Sequence, residues 1–232
     1  MSKTTIPTGG ITADAINGTL IADDAINSEH YTDASIDTAH IADSQVTAAK
    51  TSGVGGGLEF VTRTAVSSSS STVEFTGLNN TGGGSIRVVF NKIITDTSGG
   101  VNMQFIIGDS SSYRTEAAGS GLYQMAHQYN QYDSSSSGNE QAQQTSFRLV
   151  DSIGNDSSGN LGGYVDIFGF ADASTYKFIT FHLSHFRAAG GRYAKSGGGY
   201  VNTDAAMSKL KFQLSSGNYT GGEFMIYRYK ES

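Results

Sequence analysis

The chain carries five histidines, His30, His40, His127, His182 and His185, the side chains best suited to proton transfer and metal binding near neutral pH. His182 and His185 stand three apart in the alternating run 181–186, so an extended chain turns them to opposite faces and they form no shared metal site. His30 and His40 are ten residues apart, each just before a large side chain of a five-residue register. Copies arranged round an axis would turn each into a ring, yet no metal is expected there. There is no cysteine, which removes thiolate nucleophiles, disulfides and Cys-ligated metals. Glycines 190–191 and 197–199 flank Arg192, Tyr193, Ala194, Lys195 and Ser196 without phosphate-loop spacing, so a surface loop is expected. Gly119-Ser120-Gly121 follows no apolar strand and is not a nucleophile elbow. Asp109, Asp133, Asp151, Asp156, Asp166 and Asp172 lie mainly in or beside expected turns, where Asp stabilises bends. The residues therefore point to no catalytic group, no metal and no cofactor.

Binding chemistry is better represented. The segment 122–132 is rich in tyrosine and side-chain amides, groups that stack on sugars and hydrogen-bond hydroxyls. Tyr123, Met125, His127 and Tyr129 would share one strand face, which reads either as core or as a contact surface. Tyr129 and Tyr132 are the candidate receptor contacts here. The expected loop 188–203, with Arg192, Tyr193 and Tyr200, is the second candidate surface. The net charge of −6 argues against nucleic acid, whose affinity for proteins comes chiefly from Lys and Arg. No apolar stretch approaches the ~18 residues of a membrane span, and residues 1–5 lead into no signal-peptide core, so neither membrane insertion nor signal-directed export is expected.

The elements that must position these groups fall into two regions. The run 53–57, Gly-Val-Gly-Gly-Gly, is a flexible joint, and the expected domains are 1–57 and 58–232. Two lysines against seven carboxylates give the first region −5 of the chain's −6. Beyond it, short alternating segments are cut by Gly, Ser, Asn and Asp clusters. Residues 208–214 place Leu210, Phe212 and Leu214 on one face and Lys209, Lys211 and Gln213 on the other. Similar runs at 72–78, 85–94, 101–107, 146–150, 163–170, 176–183 and 223–229 bring the expected count to about eight to eleven strands. Residues 171–175 and 215–221 have the composition of hairpin loops, and 133–145 is a long polar stretch. The fold class expected is mostly β, an antiparallel sandwich of jelly-roll type.

In the first region large side chains stand at Ile6, Ile11, Ile16, Ile21, Ile26, Tyr31, Ile36, Ile41 and Val46, in unbroken steps of five. On an α-helix that step advances about 140° past a full turn and forms no stripe. In a flat strand it sends successive residues to opposite faces. Nine large side chains also bury too little surface to offset the ordering of some fifty residues. The arm is therefore expected to gain its shape from several identical chains wound round one axis, three being the preferred number, with these nine positions as the trimer interface.

The blocks 11–18, 21–30 and 35–43, with Ile-Thr-Ala-Asp-Ala-Ile and Ile-Ala-Asp-Asp-Ala-Ile among them, resemble the repeats of tailed-bacteriophage fibre proteins, especially those of marine and cyanobacterial phages. Residues 147–155 and 215–224 are similar to the β-rich end domains of such virion proteins. The resemblance implies a homotrimeric fibre of the virion, assembled in the host cytoplasm. Its amino-terminal part would dock on another virion protein of tail, baseplate or capsid, and its distal domain would contact a host surface glycan or receptor. It supplies no catalytic residues. A capsid-attached head fibre and a glycan-cleaving spike are the alternatives within that resemblance.

Overall fold

In a computed structural model of the chain, the alternation of residues 209–214 becomes alternation of burial: Leu210, Phe212 and Leu214 are inside, Lys209, Lys211 and Gln213 at the margin. The structure describes residues 57–78, 84–115, 121–131, 136–157, 159–188 and 190–229, with backbone only over 136–143, and fourteen positions among residues 6–41. The chain divides into two units, 1–54 and 55–232, at a boundary inside the glycine-rich run.

The larger unit is mostly β, with twelve strands among the described residues: β1 (Leu58–Ala65), β2 (Thr72–Phe75), β3 (Ile86–Thr95), β4 (Val101–Gly108), β5 (Tyr123–Gln131), β6 (Ser136–Gln144), β7 (Phe147–Ile153), β8 (Leu161–Phe168), β9 (Lys177–Phe186), β10 (Arg192–Val201), β11 (Lys209–Leu214) and β12 (Tyr219–Tyr229). They form two antiparallel sheets. The larger has the order β1-β12-β3-β8-β9-β10-β5-β6 and the smaller the order β2-β11-β4-β7.

The inward faces of both sheets build one core. Phe90 of β3 and Phe224 of β12 meet Phe212 of β11 with ring centroids 5.3 and 5.2 Å apart, and Phe105 of β4 stacks on Phe147 of β7 at 5.1 Å. Phe147 reaches across to Phe181 of β9 at 6.0 Å. Edge-on and offset contacts of this kind add to the burial of the rings themselves. On the outer face of the large sheet Arg87 grips the buried carboxylate of Asp166 through two hydrogen bonds of 2.6 and 2.7 Å, with its guanidinium 4.1 Å from the Tyr164 ring centre. That pairing compensates a charge that would be costly to bury alone.

Three sequence expectations are corrected. The strands outnumber the expected eight to eleven. Residues 188–203 do not form a loop: β10 lies inside the large sheet, paired with β9 on one side and β5 on the other. Its glycines are there because neighbouring backbone comes close. A Cβ on Gly199 would lie 2.0 Å from the Gln124 carbonyl oxygen, and one on Gly197 would lie 2.4 Å from that of Ala126. Gly199→Ala is expected to cost about 1 to 3 kcal/mol, read as a lower urea midpoint; an unchanged midpoint would mean that β5 and β10 separate freely. The polar stretch 133–145 contains β6, which extends the sheet beyond β5. Finally, 215–221 is not a hairpin loop, because β11 and β12 belong to different sheets and the chain crosses between them. The 171–175 connection does join paired neighbours, β8 and β9.

In the 1–54 unit the described residues carry turns and bends, with no strand or helix among them. The Pro7 and Thr12 carbonyls accept hydrogen bonds from the Gly10 and Ala15 amides at 2.8 and 3.2 Å, so two turns follow one another at the five-residue spacing. Ile6, Ile11, Ile16, Ile21, Tyr31, Ile36 and Ile41 are each 37 to 63% exposed in the single chain. Ile26 and Val46, like His30 and His40, lie outside the described residues.

Candidate functional site

Strand alternation sorts the candidate contacts onto two faces. In β9 the residues Lys177, Ile179, Phe181, Leu183 and His185 point inward, while Phe178, Thr180, His182, Ser184 and Phe186 point outward. His182 and His185 thus part company: His182 packs against Tyr164 outside, with centroids 5.5 Å apart, and His185 is buried inside. In β5 Tyr123, Met125 and His127 are buried on the inward face, and Tyr129 continues it half-buried. Register places Tyr129 opposite Lys195 of β10, and Tyr193 opposite both Gln131 and His185.

These inward residues meet the edge of the small sheet in a pocket of about 190 Å³, lined by His127, Tyr129, Asp151, His185, Arg187, Tyr193 and Lys195. Four rings run along it. His127 and Tyr129 are 6.4 Å apart, Tyr129 and Tyr193 5.9 Å, and Tyr193 and His185 5.5 Å in a stacked arrangement. Lys195, whose side chain is 1% exposed, donates to Asp151 of β7 at 3.1 Å. The same carboxylate receives Arg148 at 3.3 Å. Arg187 lies over the Tyr193 ring at 5.1 Å and donates to its hydroxyl oxygen, which in turn donates to Gln131 Oε1 at 2.7 Å.

The electrostatics follow from burial. Both histidines are pushed down to about 4, first by desolvation and then by the charge of Lys195, so they are neutral at pH 7. Desolvation also lowers Lys195, opposed by Asp151. Burial raises Asp151, but the charge and hydrogen bond of Lys195 outweigh it and hold the carboxyl below its ordinary value. Three buried polar atoms on the pocket walls have no hydrogen-bond partner: His127 Nδ1, His185 Nδ1 and Arg187 Nε. Buried polar groups are nearly always paired, so a cluster of three orphans needs a reason.

No protein-family model, curated protein or solved structure matches this chain. Function therefore has to be argued from the site itself.

Of the expected receptor contacts, Tyr129 and Tyr193 come together in the pocket. Arg192 lies on the outer face, its guanidinium 5.5 Å from the Phe186 ring centre. It helps line an open trough of about 600 Å³ that adjoins a second hollow through Asn130, Gly162, Ser184 and Ala194. The trough and the pocket share His185 and Tyr193. Tyr200 stands apart from both, stacked on Tyr176 at 6.3 Å and eight residues along β10 from Arg192, about 26 Å at ~3.3 Å per residue. Tyr132 lies outside the described residues.

Sequence reasoning missed Asp151, Arg187 and Lys195. The signal for Lys195 was present: it falls in step with Tyr193, Gly197, Gly199 and Val201 once 192–201 is read as a strand. Asp151 and Asp166 lie within strands and pair with cations, whereas Asp109 and Asp172 do hold turns, through Ser111, Ser112 and Ser174. Among the described residues no group of three His, Asp or Glu is placed to share a metal ion.

Proposed function

We propose that the chain is a homotrimeric virion fibre: residues 1–57 intertwine with two sister copies and dock on another virion protein, and the distal unit contacts a host surface glycan. The observation that carries this reading is the five-residue register. Its large side chains are substantially exposed in a single chain, as a seam awaiting partner copies would be. Left in water, such a row of isoleucines forfeits about 1.5 to 3 kcal/mol per side chain that burial between chains would return.

The distal unit adds support. Within the two sheets, β1-β12-β3-β8 faces β2-β11-β4-β7, which we read as the strand order of an eight-stranded jelly roll, an architecture shared by viral capsid and lectin domains. The hairpin β5–β6 enters between β4 and β7, and β9–β10 between β8 and β11. These insertions supply most of the trough and most of the pocket, β3, β8 and the segment before β8 completing the trough. A tyrosine, three side-chain amides and small residues lining an open trough suit a polyhydroxylated chain lying along the sheet. Three such sites on one fibre gain avidity from high effective concentration.

Native mass measurement tests the assembly. The full chain should appear at three times 24.4 kDa, and a chain beginning at residue 58 should lose most of that association. A monomeric full-length product at micromolar concentration would overturn the proposal. Electron microscopy of labelled particles distinguishes a tail position from a capsid position.

A further inference from the structure

We infer that the inner pocket receives one carboxylate-bearing sugar residue, of the uronic acid type, from a glycan lying in the trough. The inference rests on the receptor reading above and gives that site its ligand class.

Charge comes first. Around the pocket the described residues supply three cations, Arg148, Arg187 and Lys195, against one carboxylate, Asp151, which already serves both Arg148 and Lys195. The histidines add no charge at neutral pH. A buried lysine and a half-buried arginine with one shared counter-ion leave the pocket in positive excess, and desolvated cations call for an anion.

The orphaned atoms narrow the choice. Arg187 Nε carries a hydrogen and lacks an acceptor, which a ligand carboxylate supplies. His185 Nδ1 and His127 Nδ1 are likewise without partners, and a neutral imidazole nitrogen in either tautomer is satisfied by a hydroxyl, which can donate or accept. Acetate or sulfate offers charge without a hydroxyl, and a neutral sugar offers hydroxyls without charge. A sugar acid offers both, and its C–H face can lie against Tyr129 or Tyr193. The size agrees: about 190 Å³ is room for about six waters at ~30 Å³ each, the scale of one sugar ring. Because His185 and Tyr193 also line the trough, neighbouring sugars can continue outward.

Titration of the full-length protein with D-glucuronate, D-glucose, acetate and phosphate, each alone and followed calorimetrically, tests this. Glucuronate should bind at least tenfold tighter than any of the other three. Arg187→Gln should weaken it at least tenfold while leaving the melting temperature within a few degrees. Lys195→Met should do the same, and if it fails to fold, Arg187→Gln alone decides. Equal binding of glucose would overturn the claim for a carboxylate. Equal binding of acetate or phosphate would overturn the claim for a sugar. Absence of saturable glucuronate binding, or unchanged affinity in Arg187→Gln, would overturn the site. An array of neutral and acidic glycans separates the two levels: capture on neutral glycans alone removes this inference and leaves the receptor reading standing, whereas capture on no glycan removes both.

Discussion

Between pH 7 and pH 4 the distal unit should lose on the order of 3 kcal/mol of stability or more, about 3 from His185 and a smaller, solvent-screened share from His127. Both rings are buried and both have folded values near 4, below the unfolded value of about 6.5. The unfolded chain therefore binds more protons than the folded one across that window. Stability is fully present above pH 6.5 and drains away as the pH falls towards 4. Charging either ring places a cation in a pocket that already holds Lys195 and Arg187, with Arg148 close by and only Asp151 to answer them. Asp151 acts in a lower window. Its folded value lies below the ordinary carboxylate value of 3.8, so its contribution survives until the pH drops beneath that. Urea titrations at pH 7, 5.5 and 4.5 measure the slope. In the double variant His127→Gln, His185→Gln, the loss between pH 6.5 and 4 should largely disappear. A wild-type slope retained in that variant would show that other groups drive the acid response.

Replacing Phe212 with alanine should cost about 3 to 5 kcal/mol. Phe212 is fully buried on β11 and touches rings from both sheets, Phe90 and Phe224 of the large one and Phe105 of its own. Removing it opens a cavity where the sheets meet, and the surrounding strands are tied by hydrogen bonds that prevent collapse into the gap. For a unit of this size each kcal/mol moves the melting temperature by roughly 2 to 4 °C, so a fall on the order of 10 °C or more is expected by calorimetry. Phe178→Ala is the matched control. That ring is 55% exposed on the outer face, and its removal should change stability by about 0.5 kcal/mol or less. Equal losses from the two variants would contradict the assignment of the shared core.

Much of the architecture was legible because a half-buried strand writes its own period. The run 209–214 and the turns held by Asp109 and Asp172 needed only local rules. What escaped was determined at a distance. Gly197, Gly198 and Gly199 read as a loop because glycine signals conformational freedom in sequence, while here it reflects the closeness of Gln124, Ala126 and Ile179. The segment 215–221 carries hairpin residues, yet nothing in it tells whether the next strand continues the same sheet. The site was half visible. Tyr129 and Tyr193 were chosen for their chemistry, but Asp151, 44 residues from its partner Lys195, becomes relevant only when β7 comes to lie beneath β9 and β5. Arg192 and Tyr200 were grouped by closeness in sequence, and an extended strand then drew them apart.

The insertion of β5–β6 and β9–β10 into separate connections of the eight-stranded framework has an evolutionary consequence. The two hairpins pair with each other through β5 and β10, whereas the phenylalanine cluster is built almost wholly from strands outside them. Substitutions at the outward positions of the hairpins, such as Asn130, Ser184, Arg192 and Ala194, can therefore vary the lining of the trough while the supporting scaffold keeps its stability. On the proposed fibre reading, diversity among related chains should gather at those outward positions, and chimeras that exchange only these hairpins should transfer glycan preference.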